Sequence, residues 1–260
     1  MASLRARGLD GLPEVRAGDD LAALIASSPQ GGRLQEGDVV VIAHKAVSKS
    51  EGAVVSLADV RPGARALELA AEAADPASPV GQGKDARALQ VVLDESAEVL
   101  RAERGVLICR TRHGFVCANA GVDASNVSEP ETLVLLPRDP DASARRIRGR
   151  LRELTGAAPA VLITDSFGRA WRHGQLDVAI GLAGLQPLED WRGRTDAAGR
   201  ELKATWPAVA DAAAAAADLA RAKDSRQPVV VIEGLERFVT AEDGPGAAAL
   251  LRPLDEDLFR

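Results

Sequence analysis

Residues 160–175 read "AVLITDSFGRAWRHGQ". An apolar run over 160–164 meets an acid, a hydroxyl, a glycine and several basic side chains. The run has the length and composition of a buried strand. Asp165 and Ser166 stand at its end, and a turn is expected at Gly168. Such a strand end is a surface loop on one reading and half of a cation–phosphate site on another. Upstream, "LVLL" (133–136) reads as a second buried strand. "DPDASARRIRGRLREL" (139–154) reads as a helix, because Pro and Asp suit a first helical turn. Strand, helix and strand in that order predict a crossover unit of a parallel sheet.

Working outward, Asp19 or Asp20 can cap a helix carrying Leu21, Leu24 and Ile25 at helical spacing. "GDVVVIAHK" (37–45) gives a turn and a buried strand over 39–43, and "VSKSEG" (47–52) reads as a polar loop. Helices are predicted over 64–74 and 86–100, joined by an exposed Pro/Gly/Ser-rich connection at 75–83. "GVLICRTRHGFVCANAGVDASN" (105–126) gives two short strands around a turn at His113-Gly114. "LDVAIGLAGL" (176–185) continues the core. A helix over 208–222 and a strand within "PVVVIEG" (228–234) complete the set. The fold class is therefore mixed α and β, of α+β type, with a strand order that cannot be read. The chain is taken as one catalytic unit over 1–260; a division into two subdomains has no readable boundary.

Composition excludes several functions. Aromatic residues are 3% with no Tyr, too few for a base-stacking platform. A formal net charge of -6 argues against general nucleic-acid binding. The 260 residues suffice for a sizeable core. No stretch approaches the roughly 20 apolar residues of a membrane span, and "MASLRARGLDGLPEV" lacks the apolar core of a signal peptide. A soluble, cytoplasmic protein is expected. Cys109 and Cys117 lie in apolar runs and read as small core residues. "GQGKD" (81–85) lacks the first glycine and the hydroxyl of a P-loop, and neither a dinucleotide fingerprint nor a nucleophile elbow is present.

Three loops share one style, an apolar run ending in small and ionisable residues. "HKAVSK" carries Lys45 and Lys49. "NAGVDASN" carries Asn119, Asp123, Ser125 and Asn126. "TDSFGRAWRHGQLD" carries Asp165, Ser166, Arg169, Arg172, Gln175 and Asp177. Hard cations such as Mg²⁺ and Mn²⁺ want oxygen ligands, commonly one or two carboxylates completed by phosphate and water. Asp123 and Asp165 suit that role, and equally suit turn or helix capping. The Lys and Arg pairs suit a phosphate or carboxylate partner, and equally a solvated surface. His44, His113 and His173 are isolated from one another, so a histidine metal cluster is not expected.

Together these segments resemble the coenzyme F420-0:L-glutamate ligases, also called F420 γ-glutamyl ligases. The resemblance rests on "GLPEV" (11–15), "HKAVSKSEG" (44–52), "ESAEVLR" (95–101), "HGFVCANAGVDASNV" (113–127), "LLPRDPDASARRIR" (135–148) and "ITDSFGRAWRHGQLDVAIGLAGL" (163–185). It runs from about Gly11 to Gly234. It implies a family-specific mixed fold in an intertwined homodimer. The activity implied joins L-glutamate to the lactyl-phosphate carboxylate of coenzyme F420-0 at the expense of GTP, followed by γ-linked glutamates. Two divalent ions, Mn²⁺ or Mg²⁺, and K⁺ are implied as cofactors.

By the same resemblance Asp123, Asp165 and Ser166 match metal-binding positions. Leu12, Pro13, Glu14, Val15, His44, Lys45, Lys49 and Asn126 fall at nucleotide-binding positions; His44 stands where relatives often carry Ser or Gln. Arg169 and Arg172 join Asp165 as candidate catalytic groups, and Asp177 or His173 as candidate bases. Where relatives commonly carry Asp-Glu, this chain has Asp211 followed by Ala212, and Lys223 stands in a loop that binds nucleotide and metal in relatives. Rival readings are a metal-dependent phosphohydrolase and a nucleotide-binding relative without catalysis. "LITDSF" has the strand-Asp start of haloacid-dehalogenase enzymes, but Phe167 stands where their second Asp would be.

Overall fold

A computed structural model of the chain describes residues 3–73, 84–103, 105–125, 130–222 and 224–257. Its largest sheet has five strands in the order β1 (Arg5–Gly8), β10 (Val229–Glu233), β2 (Val39–Ala43), β8 (Ala160–Arg169), β9 (Arg172–Ala183). Only β2 and β8 run parallel; the other neighbours are antiparallel. Alternation along the strands explains how the sheet is covered on both faces. Val40, Ile42, Val161 and Ile163 join one cluster with Ile25 of α1 (Leu21–Ser27), Val47 of α2 (His44–Ser50) and Ile147 of α5 (Pro140–Thr155). Val39, Val41, Leu162 and Ile232 join another with Ala210, Ala213, Ala214 and Ala217 of α6 (Val209–Ala220). The alanine run is thus a close-packing face. Each Val or Ile so buried contributes about 1.5–3 kcal/mol.

A second layer of structure lies between β2 and β8 in sequence. β3 (Val54–Ser56) pairs with β7 (Thr132–Val134), and β5 (Val106–Thr111) pairs with β4 (Ser96–Glu103) and β6 (Val116–Ala118). Helices α3 (Ala64–Ala73) and α4 (Ala86–Glu95) pack on β5 through Leu69, Leu89, Val92 and Leu107. Cys109 and Cys117 face each other across β5 and β6, buried and unbridged, as small core residues. Asp20 caps α1, accepting from the Ala23 amide at 3.0 Å. No helix of the described residues is long and apolar enough to cross a membrane. The expected connection at 75–83 lies outside the described residues.

Four expectations are corrected. "VSKSEG" is not a loop throughout: 44–50 forms α2, because His44, Val47 and Ser48 turn inward at helical spacing. The helix expected to reach residue 100 stops at Glu95, where Ser96 turns extended and β4 begins. Sheet pairing there overrides the helical preference of Ala, Glu and Leu. The predicted crossover also fails. β7 pairs antiparallel with β3, and the parallel partner of β8 is the distant β2. Finally, Gly168 lies inside β8 opposite Gln175, and the reversal falls at Ala170 and Trp171, where Trp171 takes φ 59°.

Candidate active site at the ends of the parallel strands

The parallel register places Ala43 beside Thr164. The parallel pairing ends there: His44 turns into α2, while Asp165 stays in β8, paired with Val178 of β9 just past the carboxyl end of β2. That end of a parallel pair is where α/β sheets hold ligands. His44 Nε2 lies 3.2 Å from Asp165 Oδ1, with the imidazole almost wholly buried. Among the described residues the two make no hydrogen bond, and Nε2 has no hydrogen-bond partner. Asp165 Oδ1 accepts from the Ser166 amide at 2.8 Å.

Lys45 reaches the other acid. Its Nζ is 2.7 Å from Asp123 Oδ2. Asp123 sits beyond β6, after three left-handed residues, Asn119, Ala120 and Gly121, and is fixed by a backbone bridge to Val134. It accepts from the Ser125 amide at 2.7 Å and the Ser125 hydroxyl at 2.9 Å. Burial pushes the Asp123 carboxyl up, but Lys45 and Ser125 outweigh it, and the group lies below the ordinary carboxylate range. Two consecutive residues of α2 thus contact the two candidate cation-binding acids. One turn on, Lys49 Nζ meets Glu14 Oε1 at 2.5 Å, tying the 12–15 segment to the same helix. Within that segment Pro13 and Glu14 are exposed, Val15 is in the core and Leu12 packs against it. Asn126 and Lys223 lie outside the described residues.

Ser166 takes the opposite face of β8 from Asp165. Its hydroxyl donates to Asp177 Oδ1 at 2.6 Å, and Thr164 donates to Oδ2 at 2.9 Å. Arg221 also donates to Oδ2 and reaches Thr164 at 2.9 Å. Asp177 is therefore a fully buried ion-pair partner rather than a base open to substrate. Sequence reasoning missed Arg221. The available signal was an acid at the head of the apolar run "LDVAIGLAGL", since a buried carboxylate demands a partner. Arg169 and Arg172 lie on the exposed tip of the β8–β9 hairpin, where Arg169 donates to the carbonyls of His173 and Gly174. Within the chain they do not contact Asp123 or Asp165.

Cys117 lies against Asp165; burial first, and that carboxylate second, push its thiol up to about 12. It is a neutral neighbour of that acid. Among the described residues no three His, Cys, Asp or Glu side chains form a ready-made metal cage. Mg²⁺ and Mn²⁺ seldom use one, and complete their shells with phosphate oxygens and water. Asp165 Oδ2 accepts no hydrogen bond among the described residues. The donor set here suits such a shared ion, with Lys45 exchanged for it at Asp123.

Fold and site together define an α+β protein with an acid–base cluster around the first turn of α2, where the β2–β8 pairing ends. The sequence narrows the class. The chain matches the F420-0:Gamma-glutamyl ligase family over residues 11–234, and it belongs to that family. It is similar to the Coenzyme F420:L-glutamate ligase of Methanothermobacter thermautotrophicus, 44% identical over 256 residues, 97% of each chain. The protein of that name from Methanopyrus kandleri is 45% identical over 249 residues, 95% of this chain and 94% of the relative. That from Halobacterium salinarum is 44% identical over 258 residues, 99% and 96%.

Proposed function

We propose that the protein is a cytoplasmic, GTP-dependent ligase that joins L-glutamate to the lactyl-phosphate carboxylate of coenzyme F420-0 and then extends the chain through γ-linkages. It works as one catalytic unit in an intertwined homodimer. The observation that carries the reading is the contact of consecutive residues His44 and Lys45 with Asp165 and Asp123. The names of its relatives support the substrate assignment.

The acceptor carboxylate attacks the γ-phosphorus of GTP and GDP leaves. The resulting acyl phosphate is attacked at carbon by the glutamate amine, which loses a proton as phosphate leaves. Phosphoryl transfer of this kind depends on positioning and charge neutralisation. A divalent cation, Mn²⁺ or Mg²⁺, would supply charge neutralisation when bound. Asp123 and Asp165 would hold such ions beside the first turn of α2. Ser166, on the other face of β8, would offer its hydroxyl oxygen to the second of two cations. Lys45 and Lys49, one helical turn apart, face the nucleotide with His44, Asn126 and the 12–15 segment. Arg169 and Arg172 on the hairpin arm receive the phosphate and carboxylates of the acceptor. K⁺ assists as monovalent cofactor.

The test is product formation from GTP, F420-0 and L-glutamate with Mn²⁺, read by mass spectrometry. Glutamylated product with one GDP per bond, lost in Asp165→Asn while the variant keeps its thermal unfolding, is the expected result. Phosphate release that proceeds equally without acceptor and glutamate would instead show a phosphohydrolase.

A further inference from the structure

His44 Nε2 and Asp165 Oδ1 stand in an unusual relation. They are 3.2 Å apart, the imidazole is 3% exposed, and no hydrogen bond joins them. A buried donor or acceptor left without a partner is destabilising, so the arrangement asks for a third atom. On the far side of the ring, Nδ1 faces the buried Ser48 hydroxyl at 3.4 Å. With its proton on Nδ1, toward Ser48, the ring leaves the Nε2 lone pair beside Asp165 Oδ1, off the line that a hydrogen bond between them needs. Two lone pairs aimed side by side repel each other and bind a cation. Neighbouring ligands on one ion, each about 2.0–2.2 Å from it, lie roughly 2.8–3.6 Å apart between octahedral and tetrahedral angles, a range that includes the observed separation.

We infer that His44 binds the divalent cation directly through Nε2, alongside Asp165, and that this nitrogen biases the site toward Mn²⁺ and other transition ions over Mg²⁺. The inference rests on the proposed nucleotide-dependent cation site. The physical reason is ligand type: imidazole suits transition ions, whereas Mg²⁺ favours oxygen alone. Ser48 acts as the outer partner that fixes the ring's tautomer and direction. The competing arrangement is a protonated His44 paired with Asp165, which holds the carboxylate in place and leaves no nitrogen for a metal.

The chain has three histidines, and the other two are otherwise placed. His113 Nε2 lies between the carbonyls of Pro137 and Arg138, and His173 is on the exposed arm. Pulsed electron paramagnetic resonance of Mn²⁺ bound with GDP to full-length protein, unlabelled and with ¹⁵N-histidine, therefore reads the bond without any substitution. One directly bound imidazole nitrogen is expected. His44→Gln should abolish that coupling and weaken Mn²⁺ by at least about tenfold, with a smaller loss for Mg²⁺, both by calorimetry with GDP. Mn²⁺ that binds in an Asp165-dependent way but shows no nitrogen coupling overturns the inference and leaves the proposed function standing. No GDP-dependent Mn²⁺ binding by the unsubstituted protein overturns both.

Discussion

The ammonium of Lys45 lies 2.7 Å from Oδ2 of Asp123, bridging α2 to the loop beyond β6 across 78 positions of sequence. In Lys45→Met, burial acts on Asp123 without that opposing charge. Its carboxyl titration, followed by NMR, should move upward. The folded value lies below the ordinary 3.8, so the stability from this carboxylate is present above that value and is lost as pH falls through the folded one. Acid unfolding of Lys45→Met should accordingly begin at higher pH. An unmoved Asp123 titration would mean that Lys45 does not hold the carboxylate in solution.

Arg221 and Asp177 form the buried pair behind β8, with side-chain exposures of 9% and 1%. Arg221→Met strands the carboxylate without its guanidinium and should cost about 3–5 kcal/mol. Thermal unfolding would fall by roughly 10 °C. Adding Asp177→Asn should recover most of the loss, since a buried neutral amide costs less than a buried carboxylate that has lost its guanidinium. Additive losses in the double variant would show that the two residues act independently.

Gly181 is where β9 admits the start of α5. A Cβ there would lie 2.5 Å from the carbonyl carbon of Pro140, and backbone cannot move aside like a side chain. Gly181→Ala should destabilise by about 1–3 kcal/mol, read as a lower urea midpoint at unchanged slope. Wild-type stability would mean that α5 sits farther from β9 than described.

The Cys117 thiol, pushed up to about 12 from the usual 9.0, should resist alkylation at pH 8 until the chain unfolds. The folded state retains this proton more tightly than the unfolded one. Its contribution to stability is therefore complete below about pH 9 and lost as pH rises toward 12. Cys117→Ala should raise the alkaline unfolding midpoint relative to neutral-pH stability. Rapid labelling of native protein at position 117 would contradict its burial.

Much of the local structure was legible. The runs at 39–43, 106–111 and 229–233 are strands because they are short, apolar and β-branched, and α5 shows its start in Asp139-Pro140. Other elements hid behind composition. "HKAVSKS" has too few large apolar residues to announce a helix, yet one buried turn suffices once β2 leads into it. Residues 96–100 look helical locally and become a strand only because β5 offers a pairing edge. The candidate acids were visible as carboxylates at the ends of apolar runs. Their contacts with neighbouring residues of α2 were not.

By itself the sequence determined which segments bury themselves, where acids interrupt them, and which family the chain belongs to, because these depend on residue type and spacing along the chain. Tertiary structure alone decided that β2 lies beside β8, that Asp165 and Ser166 face opposite ways, and that Arg221 reaches Asp177. Strand pairing joins residues more than a hundred positions apart through backbone hydrogen bonds that are chemically alike at every position. Only the packing of both sheet faces selects among them.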